Sequence, residues 1–299
     1  MNLSEHLKSL NINHTLNFDT SGISSIKAGD YCRCMIYPRN EDELIYTVKF
    51  LKSKGYRYKL IGFCTNTLFC KGSRELTVIS TKHMRTVRRE ECSISLSAGA
   101  SIAREQRALI ASGDYISYKM SGIPGSVGGA ARQNAGAYGE CFSDVFLSCR
   151  VYSLQSDKIY TLLGEDMRFG YRDSILSCDE LVLLEAKLAL RRIQSGRLKD
   201  LYDEYLSKRK ISQPTEPSLG SFFKRPVGDY ASRLIDKTGL RGFRIGDACV
   251  SQKHAGFIVN LGRASSDDII SLARRVKQRV NASFNVRLEP EVDIVGEKI

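Results

Sequence analysis

The chain has 299 residues, 42% of them hydrophobic and 26% charged, and a formal net charge of +12. That balance excludes an intrinsically disordered chain, and the length predicts two or three compact lobes rather than one small core. No run approaches the roughly 18 consecutive apolar residues of a membrane span, and the start, MNLSEHLKSLNIN, has no apolar secretory core.

A cytoplasmic protein without membrane insertion is therefore expected. Nine cysteines at scattered spacing fit that compartment. Cys32 and Cys34 form a C-x-C, but no second pair follows at zinc-ribbon spacing, so free thiols and no metal site are expected. Lysines and arginines run along the whole chain, with only short clusters such as Lys208-Arg209-Lys210 and no interleaved aromatics. The charge suits phosphorylated small molecules better than nucleic acid.

In chain order, MIYP reads as a strand and Asn40 as the cap of a helix, with Glu43 completing a capping box. Leu44, Val48 and Leu51 keep helical spacing up to Gly55; YKLIG and ELTVIS read as strands. A helix is expected over 101–112, and strands at DKIYTLL and LVLLEAKLAL. LKDLYDEYLSKRK reads as a connecting helix ahead of a boundary at Gln213-Pro214 and Pro217. Beyond it come a helix near DYASRLIDKTG, the strand GFIVN, a long helix with Ile269, Ala273, Val276 and Val280 on one face, and an alternating strand VRLEPEVDIVG. Helices and strands mix without a βαβα repeat, which predicts an α+β fold.

One segment stands apart: SGIPGSVGGAARQNAGAYG, from Ser121 to Gly139, has six glycines and a single charge, Arg132. Its apolar residues exclude a solvated linker. A ligand cradle and a tightly folded structural turn remain equal readings of it, since small residues serve both.

GIPGSVGGA…NAGAYG, followed in order by FGYRDS (169–174), PSLGSFFKRP (217–226), LIDKTGLRGFRIGDACVSQKHAGFIVN (234–260) and LEPEVDIVGE (288–297), resembles the UDP-N-acetylenolpyruvoylglucosamine reductases, the MurB family. The length resembles that family's compact second subtype. The resemblance implies a two-part FAD-binding domain of the PCMH/vanillyl-alcohol-oxidase type, 1–82 and 83–195, and a C-terminal α+β substrate domain, 196–299. It further implies non-covalent FAD, NADPH as reductant and reduction of UDP-N-acetylglucosamine enolpyruvate to UDP-N-acetylmuramate by a monomer. The alternative is a diverged member that binds a UDP-sugar or nucleotide as a regulator.

By motif, Arg172 looks like the carboxylate-stabilising residue, Ser221 the proton donor and Glu291 the acidic partner. Glu289 and Glu291 are expected on one face of a strand, so the motif alone selects Glu291. Cofactor contacts are implied for Gly62, Thr65 and Asn66, for Ser121, Gly122, Ile123, Gly125 and Ser126, and for Gly128, Gly129, Asn134, Gly136, Ala137 and Tyr138. Tyr171, Lys224 and Arg225 match substrate-binding positions; His254 reads as structural.

Three stretches depart from the pattern. Cys64 stands where the first flavin loop usually has a glycine, which is expected to disfavour positive φ there. SSIKAGD replaces the usual T-x-F-x-I-G-G and brings in Asp30, and GDYISYKM replaces GLSGLEF.

Overall fold

The computed structural model describes residues 2–178 and 180–299. Its helices are α1 (Leu3–Ser9), α2 (Glu41–Ser53), α3 (Ile102–Leu109), α4 (Val127–Arg132), α5 (Ser195–Ser212), α6 (Ala231–Lys237) and α7 (Ser266–Phe284). Five of them begin at a side-chain cap: Asn2, Asn40, Ser101, Ser126 and Ser265 each accept from a first-turn N–H. The capping box expected at α2 is displaced by one residue. Asn40 caps Glu43 as expected, but the Glu43 carboxylate takes the N–H and the guanidinium of Arg39, both at 2.9 Å. A charged donor outcompetes the neutral N–H of the cap residue.

Strands Asn13–Asp19, Tyr31–Tyr37, Thr77–Ser80 and Tyr58–Ile61 lie side by side in that order, joined in part by α2. By contacts the chain divides into two units, each built from three segments: 1–14, 36–63 and 78–209 in the first, and 15–35, 64–77 and 210–299 in the second.

The first unit centres on an antiparallel sheet of five strands, ordered Lys158–Leu163, Phe146–Ser153, Leu181–Ala189, Ser93–Ser97 and Val87–Arg89. Ile94, Leu96, Val151, Leu184 and Leu188 are almost wholly buried in this sheet. Leu109 of α3 and Val127 and Ala131 of α4 belong to the same core cluster as most of that sheet's apolar face. The helix expected over 101–112 is α3 followed by a 3-10 turn, Ile110–Ser112.

In the second unit the strands Ser218–Ser221, Phe257–Asn260, Ala248–Val250 and Arg244–Ile245 form an antiparallel sheet in that order. Leu234 and Ile235 of α6 and Ile269, Ala273, Val276 and Val280 of α7 share its core with Leu219, Phe222 and Ile258. The apolar stripe predicted for α7 is thus the buried face.

The terminal segment differs from expectation. Only Asp293–Val295 is a strand, running parallel to Thr67–Phe69. Pro290 has no N–H to give a ladder, and its one strand-like contact is an isolated bridge to Phe223. Glu289 and Glu291 therefore do not share the face of a regular strand. Among the described residues, no helix is long and apolar enough to cross a membrane and no cluster of His, Cys, Asp and Glu is placed to hold a metal ion.

All nine cysteines are free thiols; six are buried, while Cys92 and Cys178 are exposed. Burial pushes the thiols of Cys64 and Cys149 up to about 12 and that of Cys32 to about 11. Thiolate is the reactive form. Alkylation of the native protein at mildly alkaline pH should label Cys92 and Cys178 first and leave Cys32, Cys64 and Cys149 unlabelled until denaturant is added. Mass-spectrometric detection of Cys64 labelling at the rate of Cys92 contradicts this packing.

Candidate active site

The glycine-rich segment opens at Ser121, whose hydroxyl is buried and has no hydrogen-bond partner within the protein. Arg209 of α5 donates from Nε to the Ser121 carbonyl at 3.0 Å, and burial lowers the pKa of its guanidinium. A Cβ on Gly122 would stand 2.8 Å from Leu206 Cδ1, so α5 lies against the loop. Ser126 then caps α4. The first amides of that helix are already engaged: Val127 N–H donates to Ala100 O, Gly128 N–H to Ala98 O (both 2.8 Å), and Gly129 N–H to Ser126 Oγ.

The second half of the segment is a structural turn. Gly136–Ala137 pairs with Glu140–Cys141 across Tyr138, whose φ is +52°, leaving the Tyr138 ring exposed and edge-on to Tyr205 at 5.1 Å. The structural-turn reading of the glycines holds for this half of the segment.

FGYRDS is stitched to this segment within the first unit. Asn134 Nδ2 donates to Gly170 O at 3.1 Å, Ser174 Oγ to Arg132 O at 3.0 Å, and Arg132 to the carbonyls of Leu176 and Ser177 at 2.6 and 3.2 Å. Gly170 and Asp173 close a tight turn, with Tyr171 and Arg172 at its tip. Arg172 has a φ of +55°, and its guanidinium lies 5.1 Å from the centre of the exposed Tyr171 ring. Arg132, the lone charge of the glycine segment, is an anchor that its composition signalled but that sequence did not assign.

Ser221 and Glu291 belong to the second unit. Ser218 faces Val259 and Ser221 faces Phe257, so the Ser218–Ser221 strand has one residue more than its partner. Gly220, at φ +80°, takes up that extra residue as a bulge, a conformation a side chain there resists, and the bulge re-aims Ser221. The chain just after Ser221 is bound to the segment carrying Glu291. Glu291 N–H donates to Phe222 O at 2.9 Å and Lys224 N–H to Glu289 O at 2.8 Å.

This pairing separates the two glutamates that sequence left equivalent. The Glu289 side chain is 75% exposed, with an oxygen 3.7 Å from Lys224 Nζ, whereas Glu291 is half-buried. Arg225 lies over the Tyr230 ring at 4.5 Å. His254 Nδ1 accepts from Gly256 N–H at 3.2 Å, and burial lowers its pKa, as a structural neutral imidazole requires.

The departing stretches each have an internal role. Cys64 keeps the left-handed backbone of a glycine, φ +57°, at a cost of about 1–3 kcal/mol. Its buried Sγ donates to Thr67 O at 3.4 Å, and its carbonyl accepts from Ser25 N–H at 3.2 Å. Ser25 Oγ in turn donates to Ser218 O at 2.6 Å. Asp30 is balanced by Arg74 at 3.0 Å and accepts from Tyr31 N–H. In GDYISYKM, the buried Asp114 is paired with Arg192 at 2.7 Å and with Arg89.

Gly62, in the first unit, shows why that position excludes a side chain: its Cβ would stand 2.0 Å from Ser126 Oγ. The glycine-rich segment and the end of the Tyr58–Ile61 strand thus meet at Ser126, and the same segment carries, at Ser121, a buried hydroxyl with no protein acceptor. Leaving such a group unsatisfied costs about 1–3 kcal/mol, which a polar ligand would offset. These residues fit a flavin nucleotide whose phosphates and amides supply acceptors and donors.

Residues 213–295 match the family model described as UDP-N-acetylenolpyruvoylglucosamine reductase, C-terminal domain, and residues 32–162 match one described as FAD binding domain. A UDP-N-acetylenolpyruvoylglucosamine reductase of Caldicellulosiruptor saccharolyticus is 38% identical over 304 residues, covering 99% of this chain and 96% of the relative. The enzyme of that name from Enterococcus faecalis is 33% identical, with both chains covered completely. A crystal structure of UDP-N-acetylenolpyruvylglucosamine reductase (MurB) from Thermus caldophilus superposes with a TM-score of 0.80 at 26% identity, over 95% of this chain and 98% of that one. With both domains matched and that identity sustained from end to end, this chain belongs to the UDP-N-acetylenolpyruvoylglucosamine reductase family.

Proposed function

We propose that the protein reduces UDP-N-acetylglucosamine enolpyruvate to UDP-N-acetylmuramate for peptidoglycan synthesis, with FAD and NADPH, acting as a cytoplasmic monomer. Full-length identity of 38% to a reductase of that name carries the reading, with the ordered motifs intact. FAD, when bound, would supply the hydride-transfer chemistry that links NADPH to the enolpyruvyl carbon. We assign its binding to Gly62 and Thr65, to the Ser121–Gly129 stretch and to the Gly136–Tyr138 arm.

The protein's own residues then have to manage charge and a proton. Hydride addition leaves negative charge on the adjacent carbon and its carboxylate, and a cation aimed there stabilises it. Arg172, held out on its turn, takes that role, with Glu291 as the acidic partner near the carboxylate. The Ser221 hydroxyl donates the proton that completes addition across the double bond. A serine hydroxyl is a weak acid, but the carbanion is a strong base, so the transfer runs downhill. Lys224 and Arg225 meet the diphosphate and Tyr171 lines the sugar site.

The left-handed backbone of Cys64 favours this reading over a diverged regulator, because the loop keeps the shape that glycine normally allows. Purified protein should be yellow and should oxidise NADPH only when the enolpyruvyl substrate is added. Colourless protein that refuses FAD yet binds the UDP-sugar in calorimetry puts the regulator in its place. Ser221→Ala should leave flavin bleaching by NADPH largely intact and slow reoxidation by substrate at least about 100-fold; equal loss in both steps removes Ser221 as proton donor.

A third expectation concerns FAD affinity. The ideal Cβ of Gly128 lies 3.2 Å from Ala98 O, so a branched side chain must displace α4, at about 1–3 kcal/mol. Cys64→Gly changes no backbone requirement. Flavin-fluorescence titration should find Gly128→Val the more damaging substitution, and the reverse order sinks the assignment of α4 to the cradle.

A further inference from the structure

Two asparagines that sequence assigns to cofactor loops direct their side chains elsewhere. Asn66 Nδ2 donates to the carbonyl of Glu291 at 3.0 Å, and Asp293 N–H returns a bond to the Asn66 carbonyl at 2.9 Å. Asn134, only 7% exposed, donates from Nδ2 to Gly170 O at 3.1 Å and accepts Ser143 N–H through Oδ1 at 3.0 Å. The Asn134 amide is oriented by these partners, because flipping it would set oxygen against a carbonyl and NH2 against an N–H. One asparagine grips the main chain at Glu291. The other grips it two residues before Arg172.

Both gripped segments need holding. Glu291 follows Pro290, lies outside any regular strand and has its own N–H on Phe222. Arg172 sits at the tip of a tight turn with φ +55°, a conformation costly for a side-chain-bearing residue. In neither place does a helix or a sheet set the direction of the reactive side chain, so a few single bonds set the backbone, and the amide grip on a carbonyl is one of them.

We propose that Asn66 and Asn134 are positioning residues for Glu291 and Arg172 rather than direct ligands of the flavin. The significance of the two clamped residues rests on the reductase reading above; the clamps themselves do not. Substitution by aspartate keeps the shape and replaces the donor with an acceptor, so each carbonyl then faces a carboxylate oxygen. In Asn134→Asp the bond from Ser143 can persist, and only the grip on Gly170 is removed.

The test uses the FAD-loaded full chain, with turnover, FAD affinity by flavin fluorescence and amide hydrogen exchange measured together. Turnover in Asn66→Asp and Asn134→Asp should fall about tenfold to a hundredfold, as misplacement of a reacting group does, with FAD affinity changing far less. Exchange should accelerate at Glu291 and Asp293 in the first variant and at Gly170 in the second. Unchanged exchange at those amides overturns the clamps. FAD affinity falling in step with turnover overturns the positioning role and makes the asparagines flavin ligands. Asn66 is half-buried, so its variant carries the test if the buried Asn134→Asp does not fold. Wild-type protein that shows no substrate-dependent NADPH oxidation sinks the reductase reading, and hydrogen exchange still decides the clamps.

Discussion

The backbone pairing between Phe222–Lys224 and Glu289–Glu291 is the constraint on which the second unit's chemistry depends. Pro290 sits in the middle of it and has no N–H, so the bonds must come from the residues on either side, through Lys224 N–H and Glu291 N–H. The same few residues follow the Gly220 bulge, which sets the direction of Ser221. A hydroxyl and a carboxylate that are 70 positions apart in the chain are thereby placed on hydrogen-bonded neighbouring segments. The ring closes further through Ser218, Ser25, Cys64 and Asn66, each joined to the next element by a single hydrogen bond or a short run of chain.

The site segments also carry backbone strain. Cys64, Asn134, Tyr138 and Arg172 all have left-handed φ without being glycine; the last three lie in motifs that carry the family resemblance, and Cys64 in a loop that departs from it. Such residues persist where surrounding bonds over-determine them. Here those bonds are visible: Cys64 through Thr67 and Ser25, Asn134 through Gly170 and Ser143, and Arg172 through the Gly170–Asp173 closure.

The departures from the family pattern have been absorbed by pairing. Asp30 and Asp114 are both buried carboxylates, and each faces an arginine. Removing Arg74, or both Arg89 and Arg192, would leave a charge uncompensated in a low-dielectric setting, which is far costlier than the pairing itself is stabilising. These acidic residues are therefore accounted for by local structure, with their charge already neutralised inside their own unit.

Sequence by itself determined the elements and the motifs. The cap at Asn40, the apolar stripe of α7 and the free-thiol state of the cysteines follow from local chemistry, which a linear reading contains. It also determined which residue types could manage an enolpyruvyl reduction. It could not separate Glu289 from Glu291, because both lie two apart in a stretch that alternates like a strand. Tertiary structure decided that, by putting Pro290 against Phe223 and drawing Glu289 outward to Lys224. It decided too that the second half of the glycine segment is a hairpin, and that Asn66 and Asn134 face carbonyls. Those outcomes depend on which distant main-chain groups arrive nearby, and no local propensity encodes the arrival of a carbonyl 225 residues away.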